Sequence, residues 1–370
     1  MKKKIKFAFV GFFQVFPSFT GASEVSSSFF NYWPNKNKKF FQFVYKKYPK
    51  NKNVTSVKIK NEKALIKLIN ISTIVERIFS YLKDSKNKIL IIEGVSWAGY
   101  CYILANLLKK RMPDLVIIYH SHNIEYDLRK SKNNFIISFL TKIFEKKLFL
   151  NSNISTVVSK FDAKRVYKLY NYRPMILENG VDVNSLIPNK KLNYDLPKKY
   201  IFFNGSYLYK PNKEAIDLLM DYILPKLINY IPNIKLVICG GGINRKINKK
   251  TTINLNIVTK NDLATIIKKS RCLVVPLKQG FGTRIKILEA LILGCKVITT
   301  KKGIEGIDQK FKNSAFKIAT NIDKLIKYVI EEFNKQNKNS KSIKYYKSKY
   351  SMKYISQKFY YDFFKKNKLI

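Results

Sequence analysis

The chain has 370 residues, 46% of them apolar and including 26 Phe and 24 Tyr, which excludes a disordered polymer and allows a substantial core. Its length favours two domains over one. The formal charge of +47, from 71 basic against 24 acidic residues, has two compatible readings: a Lys-rich coding bias spread over solvated faces, or attraction to anionic lipid or another polyanion.

Ile5 to Val10 reads as a first strand. The basic start Met1-Lys-Lys-Lys is superficially like a signal peptide, but Gln14 and Pro17 break the apolar run that follows. A loop with Gly11, Pro17 and Gly21 leads into a helix beginning near Glu24. Phe40 to Tyr45 is a strand candidate, and Ile66 to Leu82 has helical spacing. Ile89-Leu-Ile-Ile-Glu-Gly94 is a continuous run of strand length, suited to a parallel sheet buried on both faces. Trp97 to Lys110 reads as its crossover helix and Leu115 to Tyr119 as the next strand, which empties into His120-Ser-His-Asn-Ile-Glu125. Phe135 to Leu150 is a basic amphipathic helix that either covers the sheet or lies on a membrane. Ile154 to Val158 is a further short strand.

A polar, Pro-punctuated stretch over 184–199 reads as a linker, after which the pattern restarts. Tyr200 to Asn204, Ile234 to Cys239, Leu255 to Val258 and Cys272 to Leu277 are strand-like; Ile216 to Leu227 and Asp262 to Lys269 are helix-like. A Gly-rich loop (Gly280, Gly282) then opens a helix carrying Arg284, Lys286 and Glu289, and Val297 to Thr299 is the next strand. Strand, Gly loop and helix N-terminus together make a site for nucleotide phosphates. The tail from Asn334 is helix-like and aromatic. Cys101, Cys239, Cys272 and Cys295 show no metal or disulfide spacing and read as buried free thiols in a reducing compartment. No stretch approaches the ~20 apolar residues of a membrane span. The alternation implies doubly wound α/β domains, with ligand groups at strand C-terminal ends such as Gly11, Gly94, His122 and Ser159.

The second half resembles the C-terminal domain of family-4-type retaining glycosyltransferases (glycosyl transferases group 1). The residues that carry the likeness are Phe203-Asn-Gly-Ser-Tyr207 with Pro211-Asn212, Leu236 to Gly240, Val275-Pro-Leu277, Gly282-Thr-Arg-Ile-Lys-Ile-Leu-Glu-Ala290, Gly294 and Gly303-Ile-Glu-Gly306. His122-Asn-Ile-Glu-Tyr126 and Glu178-Asn-Gly-Val-Asp182 extend it into the first half. The resemblance implies the GT-B fold: two tandem Rossmann-like domains facing a central cleft, with a C-terminal helix crossing back to the first domain. The boundaries expected are 1–183 for acceptor binding, 184–199 as linker, 200–335 for the nucleotide sugar and 336–370 as the helical tail.

By the same resemblance Glu289 grips the ribose hydroxyls, a job suited to a carboxylate that accepts two hydrogen bonds from a diol. Glu289 matches the second Glu of the family's Glu-x7-Glu motif, Phe281 stands where its first Glu falls, and Glu305 is a candidate substitute. Gly280, Gly282 and Thr283 let backbone N–H groups approach the diphosphate, while Arg284, Lys286 and, after the Gly205-Ser206 loop, Lys210 add positive charge. His122 or Glu125 faces the donor sugar or the acceptor, and Gly21 allows a close approach of the N-terminal loop to the diphosphate. No metal site and no cofactor beyond the nucleotide-sugar donor are expected. The partners expected are that donor, a lipid-linked or polysaccharide glycan acceptor, and an anionic membrane at the inner face of the cytoplasmic membrane, but no nucleic acid. A sugar-nucleotide epimerase of the same fold and a non-catalytic polyanion-binding protein are the alternatives.

Overall fold

Apolar runs without alternation become strands covered on both faces, and Ile89, Leu90, Ile91 and Ile92 are all buried. The computed structural model describes residues 5–45, 51–94, 96–132, 134–335 and 339–367, with side chains to 363. Within it the chain forms two units, one of residues up to Asn179 together with Met352 onward, the other Gly180–Ser351.

In the first unit the chain runs β1 (Ile5–Gly11), α1 (Gly21–Tyr32), β2 (Lys38–Val44), β3 (Val54–Lys58), α2 (Ala64–Ile69), α3 (Ile71–Leu82), β4 (Asn87–Gly94) and α4 (Ala98–Arg111). It continues through β5 (Val116–Ser121), α5 (Glu125–Lys130), α6 (Phe135–Asn151), β6 (Ile154–Val157), α7 (Lys160–Tyr170) and β7 (Met175–Ile176). The seven strands lie in the order β3-β2-β1-β4-β5-β6-β7, paired in parallel. The helical pattern of 66–82 is broken at Asn70, whose side chain donates to the Ile66 carbonyl at 2.8 Å and so caps the short helix before it.

The second unit runs β8 (Ile201–Asn204), α8 (Lys210–Leu218), α9 (Leu224–Ile228), β9 (Leu236–Cys239), β10 (Thr252–Asn254), α10 (Lys260–Lys269), β11 (Cys272–Val275) and α11 (Ile285–Ile292). Then come β12 (Lys296–Thr300), β13 (Phe316–Ala319), α12 (Ile322–Phe333) and α13 (Ser340–Lys349). Its parallel sheet has the order β10-β9-β8-β11-β12-β13. The strand expected over 255–258 is displaced to Thr252–Asn254, because Asn256 takes a left-handed φ of 53° and turns the chain away. Residues 184–199 do not hang free as a linker. Leu186 is buried in the second core, and Asn189 donates to Asp262 at 2.8 Å.

The aromatic tail divides. Tyr346 and Tyr350 of the α13 region join the second core, whereas the last helix, α14 (Met352–Asn367), packs on α1 of the first unit. There Phe359 and Tyr360 meet Trp33 at ring separations of 6.2 and 5.2 Å, over a layer that includes Phe7, Phe9, Phe29 and Phe30. Ser356 fastens the helix by donating to the Phe29 carbonyl at 3.0 Å. Phe359→Ala removes a buried ring from this layer and should lower stability by about 3 kcal/mol. Urea denaturation followed by far-UV dichroism reads this directly, and an unchanged midpoint would show that α14 contributes nothing to the unit. The four cysteines are buried thiols outside any disulfide.

Candidate active site

In each sheet the order reverses once, between β1 and β4 and between β8 and β11. Loops leaving the two strands of such a pair part to opposite sides and open a crevice at their C-terminal ends. Some of the sequence candidates lie near these two points and others do not.

In the second unit the loop after β8 and the loop after β11 meet around Lys286, on the first turn of α11. Gly205 has φ 149°, and a Cβ there would lie 2.6 Å from both the Lys286 ammonium and the Asn212 amide nitrogen. Only glycine lets the backbone pass this close. The Lys286 side chain is half-buried, but its ammonium is turned inward. It donates to Asn212 Oδ1 at 2.9 Å and sits 4.2 Å from the centre of the Phe203 ring. Burial first, and the charge of Arg284 second, pull its pKa down to about 7. It is therefore poised between amine and ammonium at neutral pH. Three residues earlier in the chain, Thr283 Oγ1 is buried and has no hydrogen-bond partner among the described residues.

Arg284 is buried and directed into its own loop, donating to the carbonyls of Gly280 (3.1 Å), Gly282 and Lys302 (3.1 Å). In this position it shapes the Gly280–Gly282 loop and ties it to the turn after β12. Lys302 in that turn holds Glu305 at 2.9 Å, and its ammonium lies 5.8 Å from the Phe281 ring. Phe281, Arg284 and Glu305 thus share one small neighbourhood. Glu289, one turn along α11 from Lys286, is buried and ion-paired with Lys260 at the start of α10. Lys210 and Ser206 are exposed, and the side chain that reaches Lys286 from this segment is that of Asn212.

In the first unit the switch point holds a buried polar chain. Glu93, the next-to-last residue of β4, accepts from Ser26 of α1 at 2.7 Å and pairs with His122 Nε2 at 2.8 Å. His120 lies against His122 with ring centres 4.4 Å apart and bonds Thr156 Oγ1 through Nδ1 at 2.7 Å. Burial alone would raise the Glu93 carboxyl, but the His122 hydrogen bond and charge outweigh it and hold the group below the usual carboxylate range. Burial, with the neighbouring His122, pushes His120 down to about 3, so it stays neutral. Gly21 is the exposed first residue of α1, whose N-cap Thr20 and Ser23 form a capping box.

The structure separates two residues that the sequence motif sets side by side. His122 turns to Glu93, whereas Glu125 is buried against Arg129 at 3.0 Å, and burial lifts its carboxyl to about 7. No metal site was expected, yet Glu93, His120 and His122 bring ligand-type atoms within 4.8 Å of one another. Glu93 and Ser26 escaped the sequence reading, and Asn212 entered it only as part of a motif, with no role at the site. The one signal for Glu93 was a charged residue at the end of an otherwise apolar strand.

Two doubly wound parallel units in tandem, with polar groups at both switch points and a last helix packed on the first unit, are the GT-B architecture. Residues 198–332, within the second unit, match the family model described as Glycosyl transferases group 1. Among solved structures the chain is similar to sucrose-phosphate synthase from Thermosynechococcus elongatus, with TM-score 0.71, 10% identity, and 95% of this chain and 96% of that one covered. It is also similar to Anabaena HepE in complex with UDP and glucose (TM-score 0.67, 11% identity, 96% and 98% covered). A third likeness is to WaaG, a glycosyltransferase involved in lipopolysaccharide biosynthesis (TM-score 0.63, 14% identity, 96% of each chain). No curated protein matches the sequence significantly.

Proposed function

We propose that the protein transfers a sugar from a nucleotide-sugar donor to a hydroxyl of a lipid-linked or polysaccharide glycan, with retention and without a metal ion. The observation that carries this reading is the convergence of the Gly205 loop and Asn212 on Lys286, in the first turn of α11. The free N–H groups of a helix's first turn and an adjacent ammonium together suit a diphosphate, and they stabilise the charge that develops as it departs. Glu289 then takes the ribose diol, with Lys260 keeping the carboxylate oriented. Glu305, beside Phe281, is the carboxylate left to meet the sugar. His122, set by Glu93, handles the sugar or the acceptor hydroxyl. The chemistry is a front-face displacement through an oxocarbenium-like state, in which the leaving diphosphate oxygen draws the acceptor proton. HepE in complex with UDP and glucose makes UDP and UDP-glucose the first probes to use. WaaG, of the same fold, makes an envelope glycan a reasonable acceptor class and the cytoplasmic membrane face a reasonable place for it.

Calorimetric titration with a panel of nucleotide sugars, with and without chelator, tests the reading. One donor should bind and its nucleotide be released only with acceptor present, equally in chelator. Glu289→Ala should weaken that donor about tenfold, the cost of losing a hydrogen bond to a charged group, with the fold retained by far-UV dichroism. Absence of binding to any nucleotide sugar would overturn the proposal; turnover of the donor without acceptor would favour an epimerase.

A further inference from the structure

Helix α6 is built inside out over its first half. Ser138, Thr141 and Glu145 face the protein, while Phe135, Ile136, Phe139, Leu140 and Ile143 face solvent. Phe135 is 84% exposed and Ile136 70%. The inward polar groups are well used, so this is not a misplaced core face. Thr141 accepts from the Trp97 indole at 2.8 Å, and Glu145 accepts from the Glu125 N–H at 2.7 Å, the Tyr126 N–H at 3.1 Å and the Tyr170 hydroxyl at 2.6 Å. The helix is fixed by polar contacts, and its apolar side is left outward as one contiguous patch. Patches of this kind mark interaction surfaces.

We infer that this face of α6 docks the protein on an anionic lipid bilayer. The charge around it decides between occupants. Lys130, Lys142, Lys146 and Lys147 are exposed around the patch, whereas the nearby carboxylates are neutralised: Asp127 by Arg165, Glu125 by Arg129, and Glu145 inside the protein. A second copy of the chain would bring these lysines against their own kind, on a molecule of net charge +47. Anionic headgroups neutralise them while the Phe and Ile side chains enter the acyl boundary, which is how interfacial helices bind. Between α5 and the start of α6 a cavity of about 500 Å³ is lined by Tyr126, Lys130, Asn134, Phe135, Phe139 and Lys142, so one lipid phosphate can sit between two ammonium groups above aromatic rings. Among the described residues no helix is long and apolar enough to cross a membrane, and the contact is peripheral. The inference deepens the lipid-linked-acceptor reading, but it is tested without donor or turnover.

The experiment is co-sedimentation of the full chain with phosphatidylcholine vesicles containing or lacking phosphatidylglycerol. Wild type should bind the anionic vesicles and not the neutral ones. Lys130→Gln with Lys142→Gln should weaken binding about twenty-five-fold, from the roughly five-fold per cation expected near an anionic surface. Phe135→Ser with Phe139→Ser, all exposed positions, should abolish the part of the binding that survives high salt. Lys249→Gln with Lys250→Gln, exposed on the second unit, is the charge-matched control and should leave binding unchanged. Equal weakening by both lysine pairs would mean diffuse attraction and overturn the inference. So would full binding by the Phe pair, or a concentration-dependent dimer that the Phe pair dissolves. UDP titration of the same variants should match wild type; failure of UDP to bind any of them would count against the transferase reading and leave this one standing.

Discussion

Glu93→Gln should slow donor turnover by about a hundred-fold or more while leaving the nucleotide's affinity unchanged. The carboxylate is fully buried and does two things at once, receiving the Ser26 hydroxyl and fixing His122 through Nε2. Glutamine keeps the shape but replaces the carboxylate that His122 bonds by a neutral amide, and that amide can oblige the ring to turn over its tautomer. Displacing by about 1 Å a group that orients the reacting partners costs on the order of 10²-fold. Nucleotide release is the assay, with UDP affinity as the internal control, since that is assigned to the other unit. Ser26→Ala should cost much less, because it deletes one donor and leaves the Glu93–His122 pair in place. If Glu93→Gln turns over at the wild-type rate, the buried pair is architectural and His122 has no part in the chemistry.

Lys286→Met should weaken nucleoside diphosphate binding by about thirty-fold or more and remove most of its pH dependence near neutrality. The ammonium rests on the Phe203 ring and Asn212, and its pKa is about 7 in the unliganded protein, against 10.5 for an ordinary lysine. A bound diphosphate favours the charged form, so binding takes up a proton on the basic side of neutrality. Affinity in wild type should therefore fall as the pH rises above about 7, and calorimetry in buffers of different ionisation enthalpy should count the proton. Folding stability depends on pH with the opposite sign. The folded-state pKa lies below the unfolded one, so the stability associated with this group is intact above about pH 10.5 and is lost as the pH falls towards 7. The methionine variant, freed of that cost, should melt higher at pH 7 than wild type. A variant that binds UDP as tightly as wild type at every pH would remove Lys286 from the site.

The fold was legible because it rests on local pattern. Unbroken apolar runs such as Ile89–Ile92 and Leu236–Cys239 are what doubly covered parallel strands require, and the intervening 3.6-residue periods supplied the crossovers. Edges were harder. The strand at Thr252–Asn254 is three residues long and the one at Met175–Ile176 only two, too short to carry a pattern. The site was legible where chemistry sits in one motif, as with Gly282-Thr-Arg-Ile-Lys286. It was illegible where the partners are distant in the chain. Glu93 finds Ser26 and His122 across 67 and 29 positions, and Lys286 finds Asn212 across 74, which no local window reveals. The inverted half of α6 has the same origin. Its apolar and polar positions were plain, but which side met the protein was set by Trp97 and Tyr170.

The return of the last helix to the first unit has a consequence for how the chain is made. The main chain leaves that unit at Asn179 and re-enters it only at Met352, so the second unit is in effect inserted into the first. A ribosome delivers the N-terminal residues first, yet Phe7, Phe29 and Trp33 lack their cover until Phe359 and Tyr360 emerge. The second unit has all its strands by Ala319 and is free to close earlier. The half synthesised first is therefore the half completed last, and through most of translation its aromatic layer is the surface that most needs a chaperone.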